Sequence, residues 1–328
     1  MRTKSLGIGY CLPDRVLTNQ DLEKMVDTTD SWIVERTGIK ERRIIDPGGK
    51  NSDLSVAAAR KALAEAQVDP LELDLIIVAT ASPDMPFPST ACIVQDLLGA
   101  KNAAAFDLAA GCTGFVYALT VAEKFMLSPE YNYILIIGCD VVSTVVDYTD
   151  RNTCILFGDG AGAMVLGKSE GRCGLLSTHI GADGSGGNLL YMPAGGSAMP
   201  ATHETVEKRL HYLRMNGNEV FKFATRIVAE TTSILLEKAG LTYDDIDLFV
   251  PHQANLRIIQ SAVRRMKLPP EKVAISVDHC GNISAGSIPV ALAEYNEKHP
   301  LPCGANILMV AFGAGLTFGG AILRWGRD

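Results

Sequence analysis

Residues 104–126 read AAFDLAAGCTGFVYALTVAEKFM, and this stretch decides the fold. Its beginning predicts a short apolar strand, its small residues predict a turn, and the remainder predicts an apolar helix. The apolar residues of that helix are Phe115, Val116, Leu119, Val121, Phe125 and Met126. They point in too many directions for a helix with one exposed face. We therefore expect a central, buried helix.

Cys112 lies in the turn that precedes this helix. Unpaired backbone N–H groups and the helix dipole stabilise a thiolate and lower the pKa of a thiol at such a position. Gly111 and Gly114 leave room for a substrate. A free cysteine is often only a buried apolar residue. Its place at a strand-to-helix turn favours a nucleophile instead.

The chain matches itself when it is shifted by roughly 170 residues, which indicates an internal repeat. The matching elements are helix 55–66 and strand 74–78 with helix 231–239 and strand 247–250, strand and turn 106–112 with 273–282, and the closing strands 158–166 and 313–323. Asn282 therefore occupies a turn related to that of Cys112. We predict an N-terminal half, 1–170, and a C-terminal half, 171–328.

Runs such as YILII at 133–137 are typical of strands buried on both faces. Together with the repeat, they predict a duplicated α/β fold in which a helix layer lies between two sheets. Residues 181–200 are rich in Gly, Ser, Ala and Pro, and we expect them to form a long loop over the site.

Composition excludes several classes of protein. The chain has 328 residues, 47% of them hydrophobic, and a net charge of −7 that argues against a general nucleic-acid binder. Its eight cysteines are scattered without C-x-x-C pairs, so we expect a reducing cytoplasm and no metal. The N-terminus enters a strand-like run and no apolar stretch reaches about 18 residues, so we expect neither a leader nor a membrane span.

Two further residues can be joined to Cys112. His252 follows the predicted strand 247–250, and strand ends are where ligand sites of open α/β sheets gather. Asn282 could be an ordinary turn residue, but it lies between Gly281 and Gly286 in the related turn. The other histidines, His179, His203, His211 and His299, are interpreted as structural or surface residues, and the role of His279 stays open.

Seven ordered motifs carry a resemblance that spans nearly the whole chain. They are DTTDSWIVERTGI at 27–39, FPSTA at 87–91, GCTGF at 111–115, DRNTC at 150–154, MNGNEVF at 215–221, PHQAN at 251–255 and GNISA at 281–285. With these motifs the chain resembles β-ketoacyl-acyl-carrier-protein synthase III of the thiolase superfamily. The resemblance implies a five-layered α-β-α-β-α fold, a homodimer and a Cys-His-Asn site made of Cys112, His252 and Asn282.

The resemblance also implies a reaction that starts type II fatty-acid synthesis. Cys112 attacks an acyl-coenzyme A, and the backbone N–H groups of Cys112 and Ala314 hold the oxyanion. His252 and Asn282 then stabilise the enolate formed when malonyl-acyl-carrier protein loses carbon dioxide. The family often has glycine where this chain has Ala314. No metal or redox cofactor is implied.

Substrate contacts are implied for three further groups of residues. The expected coenzyme A contacts are Thr28, Trp32, Arg36, Arg151, Gly217, Phe221 and Asn255; the expected carrier-protein contacts are Gln253, Ala254, Asn255, Leu256 and Arg257; and Phe87 is expected in the acyl pocket. Trp32 could instead be a core residue. Arg257, Arg264 and Arg265 on a predicted helix 255–267 suit an acidic partner, or form only a solvated face.

Three alternatives remain. A cysteine hydrolase would share the chain order Cys, His, Asn, although its usual signature is missing. A condensing enzyme of secondary metabolism would use the same residues on another primer, and a non-catalytic thiolase-fold subunit would leave Cys112 unacylated. The glycine loop 158–162 leads into a strand, which argues against a nicotinamide site. The choice between acetyl, branched and longer primers stays open.

Overall fold

The computed structural model describes residues 2–326 and contains two main sheets. The strands are β1 Arg2–Cys11, β2 Val16–Thr18, β3 Glu41–Arg43, β4 Leu75–Ala79, β5 Ala104–Leu108, β6 Tyr133–Val141, β7 Asp159–Ser169, β8 Gly174–Ala182, β9 Leu190–Tyr191, β10 Arg214–Met215, β11 Leu248–Pro251, β12 Asn306–Gly313 and β13 Thr317–Arg324. The first sheet has the order β1-β7-β6-β4-β5 and the second β11-β12-β13-β8. The pairs β2/β3 and β9/β10 form small ribbons.

Helices cover both faces of the two main sheets. They are α1 Asn19–Glu23, α2 Asp30–Thr37, α3 Asn51–Ala66, α4 Thr90–Leu98, α5 Gly114–Phe125, α6 Arg151–Cys154, α7 His203–Glu207, α8 Gly217–Ala239, α9 Leu256–Met266, α10 Val277–Cys280 and α11 Ser287–Lys298. Helices α3 and α4 pack on the outer face of the first sheet. Helix α8 contacts the second sheet, and α9 packs against α8. Helices α5 and α11 lie between the sheets. The expected five layers are confirmed.

Alternation within the strands explains why both faces of each sheet are buried. In β4, Leu75, Ile77 and Ala79 belong to the core between the sheets, whereas Ile76 and Val78 belong to the core under α3. Successive side chains of a strand point to opposite faces, so an unbroken apolar run requires a cover on each side.

The helix predicted from residues 115–126 is the central one. Phe115, Val116 and Leu119 are at most 1% exposed. They pack in one cluster with Ile288 and Leu292 of α11 and with strands from both sheets. Helices α5 and α11 therefore form the buried layer between the two sheets.

The strand predicted at 273–277 is absent, and this prediction was wrong. Only Val273 forms an isolated parallel bridge, with Phe249. Beyond it the buried Gln253 side chain accepts hydrogen bonds from the backbone N–H groups of Ser276 (2.9 Å) and Val277 (3.2 Å). Those bonds replace a strand ladder, and the chain turns into α10.

The loop predicted at 181–200 is partly structured. Strand β8 continues to Ala182, a 3-10 segment occupies 184–189, and β9 follows. The first sheet ends its last strand at Ser169 and the second begins at Gly174, and the division into halves 1–170 and 171–328 stays a prediction. Within residues 2–326, no helix combines the length and apolarity that crossing a membrane requires.

Candidate active site

Cys112, His252 and Asn282 line one cavity of about 130 Å³. Cys112 lies in the 3-10 turn 111–113 that leads into α5, and Asn282 lies just before the turn 284–286 that leads into α11. His252 directly follows β11. The three segments that the sequence predicted to form one site therefore converge on this cavity.

Cys112 is buried, with 7% of its surface exposed. Burial raises the pKa of its thiol to about 12, while a hydrogen bond with the Ser284 side chain and the backbone N–H of Cys112 act in the opposite direction. The expectation of a lowered pKa is therefore contradicted in this geometry, because loss of solvation outweighs the favourable contacts.

The position of His252 is fixed by a backbone hydrogen bond and by packing of its ring. The backbone N–H of His252 donates to the Val310 carbonyl at 2.8 Å, and the imidazole ring packs edge-on against Phe312, with 5.4 Å between the ring centroids. Burial lowers the pKa of His252 to about 3. Nδ1 is buried without a hydrogen-bond partner. A buried lone pair costs less than a buried unpaired N–H, so the tautomer with the proton on Nε2 is favoured.

Asn282 is anchored through three hydrogen bonds. Its backbone N–H donates to Leu156 (2.8 Å), its carbonyl accepts from Gly158 (3.0 Å), and its Oδ1 accepts from the Ser284 N–H (2.8 Å). The last bond fixes the orientation of the amide, because only the oxygen can accept. Nδ2 is thereby left as a donor beside the cavity.

The glycine turn after β12 closes on Cys112. A Cβ added to Gly313 would lie 2.7 Å from the Cys112 backbone nitrogen, so only glycine permits this approach. The left-handed residues of the turn are Gly315 (φ 73°) and Leu316 (φ 44°). Ala314 is not required to adopt that conformation, and its departure from the family pattern is compatible with the turn.

A second cavity, of about 200 Å³, adjoins Cys112, Ser284 and Ala314. Its wall is mainly apolar and includes Val142, Val145, Phe157, Leu190, Tyr191, Met192 and Leu213. Phe87 is not part of this wall and is 84% exposed. Phe87 therefore does not reach this cavity within one chain, and its place in an acyl pocket stays a prediction.

An aromatic and basic cluster lies near the mouth of the first cavity. The guanidinium groups of Arg36 and Arg151 stand over the Trp32 ring at 5.0 and 4.8 Å. The Asn255 side chain donates to the Arg36 carbonyl at 3.0 Å and also lines the cavity with Gly217 and Phe221. Thr28 is half-buried at the start of α2 and lines neither cavity described above.

The expected carrier-protein contacts divide into surface and buried residues. Arg257 is exposed, and Ala254 and Leu256 are half-buried. Gln253 is 0% exposed, and its amide nitrogen donates to the carbonyls of Pro251 and Ala274. A direct contact between Gln253 and a docked protein is therefore excluded in this structure. Its role is to hold the backbone beneath His252.

Sequence reasoning missed two residues of the site. Ser284 binds both the Asn282 amide and the Cys112 thiol, and Phe312 packs against the His252 ring. The position of Ser284, two residues after Asn282 in a repeated turn, was a usable signal. Phe312 was visible only as the apolar residue before a glycine turn.

A duplicated α/β fold with cysteine, histidine and asparagine around one cavity defines a thiolase-fold condensing enzyme, an acyltransferase. Residues 106–184 match the family model described as 3-oxoacyl-[acyl-carrier-protein (ACP)] synthase III, and residues 236–325 match the model of its C-terminal part. The chain belongs to the 3-oxoacyl-[acyl-carrier-protein] synthase III family, whose members initiate fatty-acid synthesis by condensation. Membership removes the cysteine-hydrolase alternative.

Named relatives agree with this assignment. The β-ketoacyl-[acyl-carrier-protein] synthase III of Syntrophomonas wolfei is 62% identical over 328 residues, 100% of this chain and 99% of the relative. The crystal structure of the 3-oxoacyl-[acyl-carrier-protein] synthase III from Aquifex aeolicus has a TM-score of 0.91 and 46% identity, and covers 98% of this chain and 100% of that one. The priming β-ketosynthase of the R1128 polyketide pathway has a TM-score of 0.92 at 37% identity, covering 99% and 97%.

Proposed function

We propose that this enzyme joins an acyl-coenzyme A primer to malonyl-acyl-carrier protein by decarboxylative Claisen condensation, with Cys112 as the acyl carrier. The observation that supports this most is the convergence of Cys112, His252 and Asn282 on one cavity. The products are a 3-oxoacyl-acyl-carrier protein, carbon dioxide and coenzyme A, and Cys112 is regenerated as the free thiol. The chemistry requires no redox change, and we propose that it uses no cofactor.

In the first half-reaction, Cys112 attacks the primer thioester. The thiol proton ends on the departing coenzyme A, so the transfer balances without a permanent base. The N–H groups of Cys112 and Ala314 are the proposed oxyanion donors, since Ala314 lies on the turn whose Gly313 abuts the Cys112 nitrogen. Such a donor typically contributes about 3 to 4 kcal/mol in the transition state. The apolar 200 Å³ cavity suits a short acyl chain.

In the second half-reaction, malonyl-acyl-carrier protein loses carbon dioxide and leaves an enolate. His252, through Nε2–H, and Asn282, through Nδ2, are the proposed donors to its oxygen. Both are neutral, so neither must be desolvated as a charge when the cavity closes. The carbanion then attacks acyl-Cys112, and the released thiolate takes up a proton.

Coenzyme A is proposed to bind at the aromatic and basic cluster. The Trp32 ring offers a stacking face for adenine, and Arg36 and Arg151 can pair with phosphates. Both guanidinium groups already lie over that ring, so the base would share or displace these contacts. Thr28, Gly217, Phe221 and Asn255 complete the proposed set.

The acyl-carrier protein is proposed to dock on α9. Arg257, Arg264 and Arg265 are exposed. Arg264 and Arg265 follow Arg257 by seven and eight residues, about two helical turns, which places the three side chains along one face of the helix. None of the ion pairs found within residues 2–326 uses these three side chains. Ala254, Asn255 and Leu256 lie at the start of the same face.

A homodimer and a cytoplasmic location complete the proposal. Strand β5 is an edge strand of the first sheet, and the apolar side chains of Met85, Phe87 and Leu97, in and before the helix α4 that precedes it, are exposed. Edge strands and large exposed apolar side chains favour association with a second copy. None of the eight cysteines, all within residues 2–326, lies in a disulfide, as expected in a reducing compartment.

The test is a product assay with the purified enzyme. Acetyl-, branched and longer acyl-coenzyme A primers are each supplied with malonyl-acyl-carrier protein, and 3-oxoacyl-acyl-carrier protein and carbon dioxide are quantified. The proposal expects both products in equal amounts with at least one primer. Hydrolysis of the primer without carbon dioxide release would refute it. Similarity to the R1128 enzyme supports a second candidate, priming of a polyketide chain. Condensation that does not depend on malonyl-acyl-carrier protein would favour this candidate.

A further inference from the structure

A second cluster of reactive side chains lies outside the catalytic cavity. His279 and Cys280 are the last residues of α10, and Glu294 projects from α11. Nε2 of His279 lies 3.1 Å from Oε2 of Glu294. The donor atoms of all three residues lie within 4.8 Å of one another. The proposed mechanism uses none of them.

The spacing of these donors resembles that of a tetrahedral metal site. Zinc binds nitrogen and carboxylate oxygen at about 2.0–2.2 Å and thiolate sulfur at about 2.3 Å, so neighbouring ligand atoms are separated by roughly 3.3–3.6 Å. Small side-chain rotations would bring the three donors to that separation. Imidazole, thiolate and carboxylate together favour zinc over calcium or magnesium, which prefer oxygen alone.

The surroundings of His279 also match those of a metal ligand. Its Nδ1 lies 2.9 Å from Oδ1 of Asp278, which accepts the Nδ1 proton and directs Nε2 toward Glu294. A carboxylate in this position fixes the tautomer and raises the basicity of a coordinating imidazole. Glu294 also lines a separate cavity of about 370 Å³, together with Glu271 and His299, so one side of the cluster borders open space.

We propose that His279 Nε2, Cys280 Sγ and the Glu294 carboxylate form a zinc-binding site. Binding replaces the thiol proton of Cys280 and the Nε2 proton of a charged His279, so up to two protons are released and nothing is oxidised or reduced. The ion would tie α10 to α11, immediately before Gly281 and Asn282. It would stabilise the catalytic turn without taking part in the condensation.

Cobalt(II) is the probe, because a thiolate ligand gives it an intense near-ultraviolet charge-transfer band and tetrahedral coordination intensifies its visible bands. The titration uses full-length Cys112→Ala protein, which removes the active-site thiol as a competing ligand. We expect one cobalt ion per chain, displaced stoichiometrically by zinc. Zinc should also raise the unfolding temperature, because a ligand that binds only the folded state stabilises it.

Three variants on the same background locate the site. Cys280→Ser should abolish the charge-transfer band, and Glu294→Gln should weaken cobalt binding at least tenfold while keeping the band. Cys303→Ser is the matched control and should change neither, since Cys303 is exposed and lies 3.6 Å from Cys173 instead. Circular dichroism establishes that each variant is folded. Should Cys280→Ser not fold, Glu294→Gln decides.

Two results would overturn the site. One is the absence of a thiolate-to-cobalt band in the folded Cys112→Ala parent. The other is equal cobalt affinity in the parent and in Glu294→Gln, which would place the ion elsewhere. Condensing activity of the otherwise wild-type enzyme is measured separately, so failure of the metal site leaves the proposed reaction untouched.

Discussion

The Cys112 turn and the Asn282 turn have similar backbone conformations but present side chains with different chemical roles. A three-residue 3-10 turn precedes a twelve-residue central helix in both, at 111–113 before α5 and at 284–286 before α11. Each turn begins with a left-handed residue, Gly111 at φ 53° and Ser284 at φ 51°. When the two turns are aligned on these residues, Cys112 corresponds to Ala285.

Asn282 is therefore not the counterpart of Cys112, although the two turns are related. It lies two residues before its turn, where the Ser284 N–H fixes its amide. The repeat provides two helix starts that meet at the centre of the molecule. One start presents a nucleophile, and the other presents an anchored hydrogen-bond donor and leaves the position matching the nucleophile as alanine. The repeat thus places two similar helix starts close together, and their different side chains give one the nucleophile and the other the hydrogen-bond donor.

The largest expected effect follows from replacing the nucleophile. Cys112→Ala should reduce condensation by a factor of roughly 10³ or more, because no other side chain can carry the acyl group. Intact-protein and peptide mass spectrometry of the wild-type enzyme after incubation with primer should show one acyl adduct, on Cys112. Cys303→Ser is the matched thiol control and should keep the wild-type rate. An adduct on another cysteine, with Cys112 unmodified, would contradict the assignment.

The first residues of the two turns give the next contrast. A Cβ on Gly111 would stand 3.2 Å from both the backbone nitrogen and the Cβ of Ala314. Gly111→Ala should displace an oxyanion donor and lower kcat by roughly 10- to 100-fold. Ser284→Gly keeps the left-handed backbone and removes only the hydroxyl near the thiol, so it should cost only a few-fold. Steady-state kinetics with equal losses in both variants would break the comparison.

The pH dependence of Cys112 tests the balance between burial and the helix terminus. With the thiol pKa raised to about 12, the thiolate fraction should grow about tenfold per pH unit between pH 7 and 9. Alkylation of Cys112 by iodoacetamide, quantified by mass spectrometry, should rise by the same factor. A plateau near pH 8 would show that the helix N-terminus dominates, as the sequence alone had suggested.

The smallest expected effect concerns the surface of α9. Arg257→Glu should raise the KM for malonyl-acyl-carrier protein several-fold through like-charge repulsion, with little change in the KM for acyl-coenzyme A. Since exposed charges are screened over about 10 Å at 0.1 M salt, added salt should raise the wild-type KM more than that of the variant. Lys101→Glu, an exposed lysine between α4 and β5, is the matched control. Identical salt responses in wild type and Arg257→Glu would mean that the face is only solvated.

Sequence patterns predicted the parts of the fold that burial determines. The apolar residues of 115–126 indicated a central helix because no exposed face could be drawn on it, and the structure confirms this. The strand expected at 273–277 failed because a single buried side chain, Gln253, takes up the backbone donors there. A periodicity argument cannot register such a long-range bond.

In the candidate site, too, the sequence predicted some residues correctly and could not predict others. Cys112, His252 and Asn282 could be brought together because each follows a strand or precedes a helix at repeated positions. Gln253 was misplaced because the motif PHQAN does not state which of its side chains face inward. The sign of the Cys112 pKa shift also depends on burial, which the local sequence does not contain.

In the proposed reaction, Cys112 carries the acyl group, whereas His252 and Asn282 serve the later decarboxylation. The most direct measurement is a single-turnover experiment on His252→Ala and Asn282→Ala, in which the Cys112 adduct and carbon dioxide are followed separately. We predict that each variant still acylates Cys112, and that carbon dioxide release falls by roughly 10²- to 10³-fold after malonyl-acyl-carrier protein is added. Loss of acylation with full decarboxylation in both variants would contradict it.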